Sequence, residues 1–133
     1  MSDLISIIIP YYKKKYFFEK TIKSVLNQTY KNFEVILIYD NSNRSELSFV
    51  KNTLKQIKNK KIIINKKNLG VGISRNYGIK KSKGSFLSFL DADDIWDKNK
   101  LKKQIKFMTK NDYSFSYTCY ETFGDKKKLY HLL

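Results

Sequence analysis

"LISIIIP" (residues 4–10) is a short, unbroken apolar run rich in β-branched residues. A strand with one wet face alternates apolar and polar positions, so an unbroken run predicts a strand covered on both faces. Beyond it, Phe18, Ile22, Val25 and Leu26 recur at helical spacing within 15–29, which predicts a helix with one buried stripe. "FEVILIYD" (33–40) repeats the strand signal, and Leu47, Val50, Leu54 and Ile57 repeat the helical one. "KIIIN" (61–65) is a third strand, followed by a glycine-containing loop and a helix over about 72–81. "SFLSFLD" (85–91) is a fourth, with Leu101, Ile105 and Met108 marking a helix at about 98–109. "YSFSYTCY" (113–120) alternates aromatic with small polar residues and reads as a half-buried strand.

Single helices between strands require right-handed crossovers. The expected class is therefore α/β, a mainly parallel sheet with helices on both faces. No linker or repeat beyond the βα unit interrupts the pattern, so residues 1–133 are expected to form a single domain. The Lys-rich stretches at 13–15, 58–61 and 126–128 read as surface turns.

Composition narrows the function classes. With 15% aromatic residues the chain carries enough apolar bulk for a core. Its net charge of +15 is compatible with nucleic acid, an anionic membrane or a phosphate-bearing substrate, but the basic residues are spread along the chain rather than gathered on one stretch. A nucleic-acid-binding domain is therefore not expected. The single cysteine, Cys119, excludes an intrachain disulfide and is expected to be a buried thiol in its aromatic run. His131, the only histidine, has no partner for triad chemistry. Neither a signal-peptide pattern nor a run of about 18 apolar residues is present, so a cytoplasmic location is expected.

In open α/β sheets, ligands bind beyond the carboxyl ends of the strands. The residues expected there are Pro10, Tyr11 and Tyr12, then Asp40 and Asn41, then the loop from Asn65 to Gly72, then Asp91 to Asp94. Four of the twelve acidic residues, Asp91, Asp93, Asp94 and Asp97, fall within seven positions. Carboxylates so close repel unless a cation or proton intervenes, and Mg²⁺ or Mn²⁺ prefers such oxygens together with substrate phosphates. Asp97 is instead expected to cap the helix starting near 98. Gly70 and Gly72 before a helix suit an approach of backbone N–H groups to a phosphate, and Arg75 suits planar or phosphate recognition. Asp40 suits a nucleobase or ribose hydroxyl, and equally a turn.

Four stretches in this order and spacing, "ISIIIPYY" (5–12), "EVILIYDNSN" (34–43), "NLGVGISRNYGIKKSKG" (68–84) and "FLSFLDADDIW" (86–96), resemble the N-terminal part of a family 2 glycosyltransferase. The resemblance implies the Rossmann-like GT-A fold, shortened on its C-terminal side. It also implies transfer of a sugar from a nucleotide-diphosphate sugar to a hydroxyl acceptor, with inversion. On this likeness the nucleotide-sugar site comprises Pro10, Tyr11, Tyr12, Asp40, Asn68, Gly70, Arg75, Asn76, Asp91, Ala92, Asp93 and Asp94. Asp40 would contact the base, Arg75 and Asn76 would lie near the diphosphate, and Asp91 would contact ribose or sugar. Asp93, with Asp91, would hold Mn²⁺ or Mg²⁺. The acceptor would be a glycan or lipid-linked hydroxyl, which makes peripheral contact with the inner membrane face an expectation as well. "YDNSN" stands where the family often has an "NDGSTD"-like turn. The family's general base is expected to lie outside this chain, since only Asp112, Glu121 and Asp125 follow the aspartate-rich turn and its helix cap. A shortened, non-catalytic unit that binds nucleotide and metal is the alternative. A phosphoacceptor receiver-like domain is disfavoured by the glycine-bearing stretch.

Overall fold

A computed structural model describes residues 2–123 and 128–130; His131, Asp125, Lys126 and Lys127, on which sequence expectations fall, lie outside the described residues. Four parallel strands, β1 (Ile5–Tyr11), β2 (Phe33–Tyr39), β3 (Lys60–Ile64) and β4 (Phe86–Phe89), form one sheet in the order β3-β2-β1-β4. The helices between and after them are α1 (Lys15–Leu26), α2 (Leu47–Thr53), α3 (Val71–Lys81) and α4 (Lys100–Asn111).

The central strands are unbroken apolar runs because both of their faces are covered. Ile5, Ile7, Ile9 and Tyr11 of β1, with Val35, Leu37 and Tyr39 of β2, point to one face, where Phe18, Ile22 and Val25 of α1, Val50 of α2 and Leu101 of α4 pack. Ile8, Ile36 and Ile38 point to the other, where α3 lies so close that a Cβ on Gly78 would stand 2.4 Å from Ile8 Cγ2. The α/β class with helices on both faces is thus the fold observed. The outer strands β3 and β4 are only partly buried along their lengths.

Several expectations are corrected. The second helix ends at Thr53, yet Leu54 and Ile57 remain buried, because a following turn with Ile57 N–H bonded to Leu54 O keeps them on the same face. Lys60 and Lys61 belong to β3 rather than to a turn. Residues 113–119 are not a half-buried strand: they run irregularly, with Phe115 76% exposed. Pairing begins only at β5 (Tyr120–Thr122), which joins β6 (Lys128–Tyr130) in a separate antiparallel ribbon. Cys119 is exposed, not buried.

Candidate functional site

A cavity of about 460 Å³ opens beyond the carboxyl ends of β1, β2 and β4, beside the N-terminus of α3. Ten of the twelve residues expected from the sequence line it: Pro10, Tyr11, Tyr12, Asp40, Asn68, Gly70, Arg75, Asp91, Ala92 and Asp93. Asn76 lies outside this lining, exposed on α3. Asp94 faces a neighbouring cavity with Trp96, Lys100 and Lys103.

Asp40 ties the strand ends together. Its backbone N–H bonds to Tyr11 O at 2.9 Å. Its carboxylate accepts from Asn65 Nδ2 and Leu69 N–H at 2.8 Å and from Gly70 N–H at 2.9 Å. The Gly70 N–H, where a phosphate was expected to approach, is thus spent on a side chain. A carboxylate there also complements the positive end of α3. Gly70 itself sits at φ +88°, a conformation that strains any residue with a Cβ.

The "DNSN" turn works without glycine. Asn43 N–H bonds to Asn41 Oδ1 and Ser45 N–H to Asn43 Oδ1, two side-chain-closed turns in succession. Arg44 Nη1 then bridges Asn41 O and Asn65 O. Tyr11 is fully buried, its ring stacked 5.6 Å from Tyr39, and its hydroxyl donates to Glu46 Oε2 at 2.6 Å. Burial first, and then the bond to the Glu46 carboxylate, push the phenol above its ordinary range.

The aspartate turn carries its own counter-ions. Arg75 Nη2 stands 2.8 Å from Asp91 Oδ1, and Lys14 Nζ stands 2.7 Å from Asp93 Oδ2. The hydrogen bond and charge of Asp93 raise the pKa of the Lys14 ammonium. Among the described residues no ion pair is formed to Asp94, and partial desolvation first, then the charges of Asp91 and Asp93, hold its carboxyl above the usual range. Asp97 Oδ1 accepts from Asn99 N–H, one residue before α4 begins. The N-terminus of α4 is capped from elsewhere: Gln28 Oε1 accepts the Leu101 N–H, while Gln28 Nε2 donates to Asp97 O.

Val71, within the expected 65–72 loop, and Lys14 complete the lining, and Lys14 was missed from the sequence. Lys14 reads as one of three surface lysines, yet Lys13 adopts φ 51°, in the left-handed region, and the chain turns there between β1 and α1. Also missed were the anchors that seat the aspartate turn on α1. Thr21 Oγ1 donates to Ala92 O at 3.0 Å, and Ser24 Oγ accepts Trp96 N–H at 3.1 Å. With Gln28 they recur at helical spacing beside the apolar stripe, a signal that was readable.

Two hard carboxylates on one turn are a donor set that suits Mg²⁺ or Mn²⁺ when substrate phosphates complete the coordination. Among the described residues no group of three His, Cys, Asp or Glu side chains forms a metal site without such help.

The sequence pattern described as glycosyl transferase family 2 matches residues 6–133. The chain belongs to that family. This family 2 chain is 39% identical over 122 residues to the Escherichia coli UDP-Glc:alpha-D-GlcNAc-diphosphoundecaprenol beta-1,3-glucosyltransferase WfgD, covering 89% of itself and 46% of the relative. It is 43% identical over 125 residues to an uncharacterized glycosyltransferase of Rickettsia bellii, covering 93% of itself and 18% of that protein. The chain thus spans less than half the length of these relatives. Among solved structures, S. aureus TarS 1–349 superposes with a TM-score of 0.74 at 28% identity, over 81% of this chain and 33% of TarS. TarS has also been solved in complex with UDP, at a TM-score of 0.72 and 26% identity, over 81% of this chain and 32% of TarS. The family 2 chain has the GT-A fold that its sequence resembles.

Proposed function

We propose that residues 1–133 form the nucleotide-sugar-binding domain of a glycosyltransferase. In this reading a sugar passes from a nucleotide-diphosphate donor to a glycan or lipid-linked hydroxyl, in polysaccharide or glycoconjugate biosynthesis. The observation that carries it is the aspartate turn at the cavity mouth: Asp91 and Asp93 flank buried Ala92, each paired with a cation that also lines the cavity. The relatives named for glucosyl transfer and the UDP complex of TarS support the substrate class.

The roles follow from place. The base lies between the Pro10–Tyr12 segment and Asp40, with Asn68 and Gly70 as the floor. Arg75 faces the diphosphate, and Asn76 and Asp94 act from the rim. Arg75 Nε is buried with no hydrogen-bond partner among the described residues, a donor whose satisfaction favours an anionic ligand. Asp91 takes the ribose or sugar, and Asp93, with Asp91, holds Mn²⁺ or Mg²⁺. When bound, the cation neutralises charge on the departing nucleoside diphosphate as a Lewis acid. No base for the acceptor hydroxyl is assigned: Asp112 ends α4 and Glu121 lies on the β5–β6 ribbon, and neither lines the donor cavity. Among the described residues no helix is long and apolar enough to cross a membrane, and a cytoplasmic domain touching the inner membrane face accords with lipid-linked acceptors.

A second reading, a nucleotide-binding unit whose site is finished by further polypeptide, is favoured by the share of its relatives that the chain spans. Calorimetric titration with UDP and GDP, with and without Mn²⁺, tests both. Metal-dependent binding of one nucleotide, weakened at least about tenfold in Asp93→Ala, is expected. Binding without donor hydrolysis or transfer selects the second reading. No binding of either nucleotide under any condition overturns the donor site.

A further inference from the structure

One oxygen of Asp93, a carboxylate proposed above to hold the divalent cation, is already taken. Lys14 Nζ sits 2.7 Å from Asp93 Oδ2, and Lys14 has no second ion pair among the described residues. We propose that Lys14 is a built-in competitor for the metal position: its ammonium and a divalent cation bind Asp93 in mutual exclusion, and the ion pair sets how tightly the site takes metal. This rests on the donor-site reading above.

The placement of Lys14 is built into the fold. Lys13 turns the chain through a left-handed conformation. Lys14 then occupies the N-cap position of α1, and its carbonyl accepts from Phe17 and Phe18 N–H at 3.0 Å. The same helix holds the other partner, since Thr21 bonds to the carbonyl of Ala92, one residue before Asp93. Both members of the pair thus hang from one rigid element.

Electrostatics opposes sharing of that oxygen. A Mg²⁺ ion sits about 2.0–2.1 Å from a carboxylate oxygen. With an ammonium 2.7 Å from the same oxygen, the monovalent and divalent charges would be close neighbours at a half-exposed site where screening is incomplete. One must leave. The lysine is the one able to go: the Lys14 and Asp93 side chains are 43% and 34% exposed, and ion pairs so open to water are weak. The Arg75–Asp91 pair is about as open, at 37% and 48%, but Arg75 Nε is enclosed by protein, which anchors that guanidinium where the Lys14 ammonium is free to swing away.

The test is Mn²⁺ binding to the nucleotide-free chain, followed by the electron paramagnetic resonance of free Mn²⁺, in wild type, Lys14→Gln, Lys14→Arg and the double variant Lys14→Gln/Asp93→Asn. Removing the competitor is expected to tighten the dissociation constant roughly fivefold, with Lys14→Arg near wild type and the gain abolished in the double variant. Unchanged or weaker Mn²⁺ binding by folded Lys14→Gln overturns the proposal. Should Lys14→Gln not fold, the wild type still decides: Mg²⁺ is expected to move the Lys14 Nζ resonance toward that of a solvent-exposed lysine, and no movement at saturation overturns the proposal. UDP binding with neither response defeats this inference alone, whereas Mn²⁺ competition without any nucleotide binding defeats the donor-site reading alone.

Discussion

Asp40 is an acid whose neighbours give it a structural job. Its carboxylate accepts three hydrogen bonds inside the protein and the residue is 3% exposed, so it holds the 65–70 loop before any ligand arrives. Asparagine keeps the shape but offers one acceptor oxygen in place of two, and leaves a buried N–H unpaired. Asp40→Asn is therefore expected to lower ligand-free stability by about 1–3 kcal/mol, read as the midpoint of urea unfolding. Unchanged stability would show that the loop does not depend on this carboxylate. A lone acid after an apolar strand marked the position in the sequence, but not its partners, because Leu69 and Gly70 offer backbone groups that leave no compositional trace. Lys14 was hidden for the opposite reason. Its side chain is informative, but three consecutive lysines look alike until the turn at Lys13 singles one out. Arg75 and the two paired aspartates stood out because arginine is rare in this lysine-rich chain and acids so crowded demand compensation.

At the level of elements, α3 shows what close packing asks of a helix. A Cβ at Gly78 would meet Ile8 Cγ2 at 2.4 Å and Ile38 Cδ1 at 3.1 Å, while one at Gly72 would meet nothing within 4 Å. Gly78→Ala is expected to destabilise by about 1–3 kcal/mol through overpacking. Gly72→Ala, in the same helix, is expected to stabilise by roughly 0.5–1 kcal/mol through helix propensity. The two urea midpoints should move in opposite directions with unchanged slope, and a shared direction would contradict the packing described. Apolar runs and helical periodicity located the four strands and α1, α2 and α4, whose apolar residues turn toward the core, whereas α3 was read from its place after the glycine-bearing loop and buries only Ser74 and Gly78. The same logic failed at 113–119. Alternation there describes a chain able to lie half-buried, but burial needs a sheet to join, and this segment runs instead beside β4 and α4, where Ser116 Oγ accepts from Gln104 Nε2.

Over the whole molecule, a net charge of +15 surrounds the cavity proposed above to take a nucleoside diphosphate. Surface lysines too dispersed to form a nucleic-acid face still raise the local concentration of a small anion. Screening shortens that reach from about 10 Å at 0.1 M salt to about 3 Å at 1 M. UDP association, followed by stopped flow, is expected to slow roughly three- to tenfold between 20 mM and 500 mM NaCl, with dissociation much less affected. A salt-independent association rate would mean that the dispersed charge contributes nothing to capture.

One helix spans the distance between this global field and the local site. Lys14 caps the start of α1, Thr21 and Ser24 on the helix hold the aspartate turn, and Gln28, two residues past its end, grips the start of α4. Lys14 is therefore a tethered ligand, present at Asp93 at an effective concentration set by the helix rather than by the solvent. Free monovalent cations, which must come from bulk, compete poorly against such a partner. A divalent cation arriving with a diphosphate is tethered too, through the phosphates it already holds. On the proposal above, the aspartate turn takes cations delivered together with the donor more readily than those that come alone.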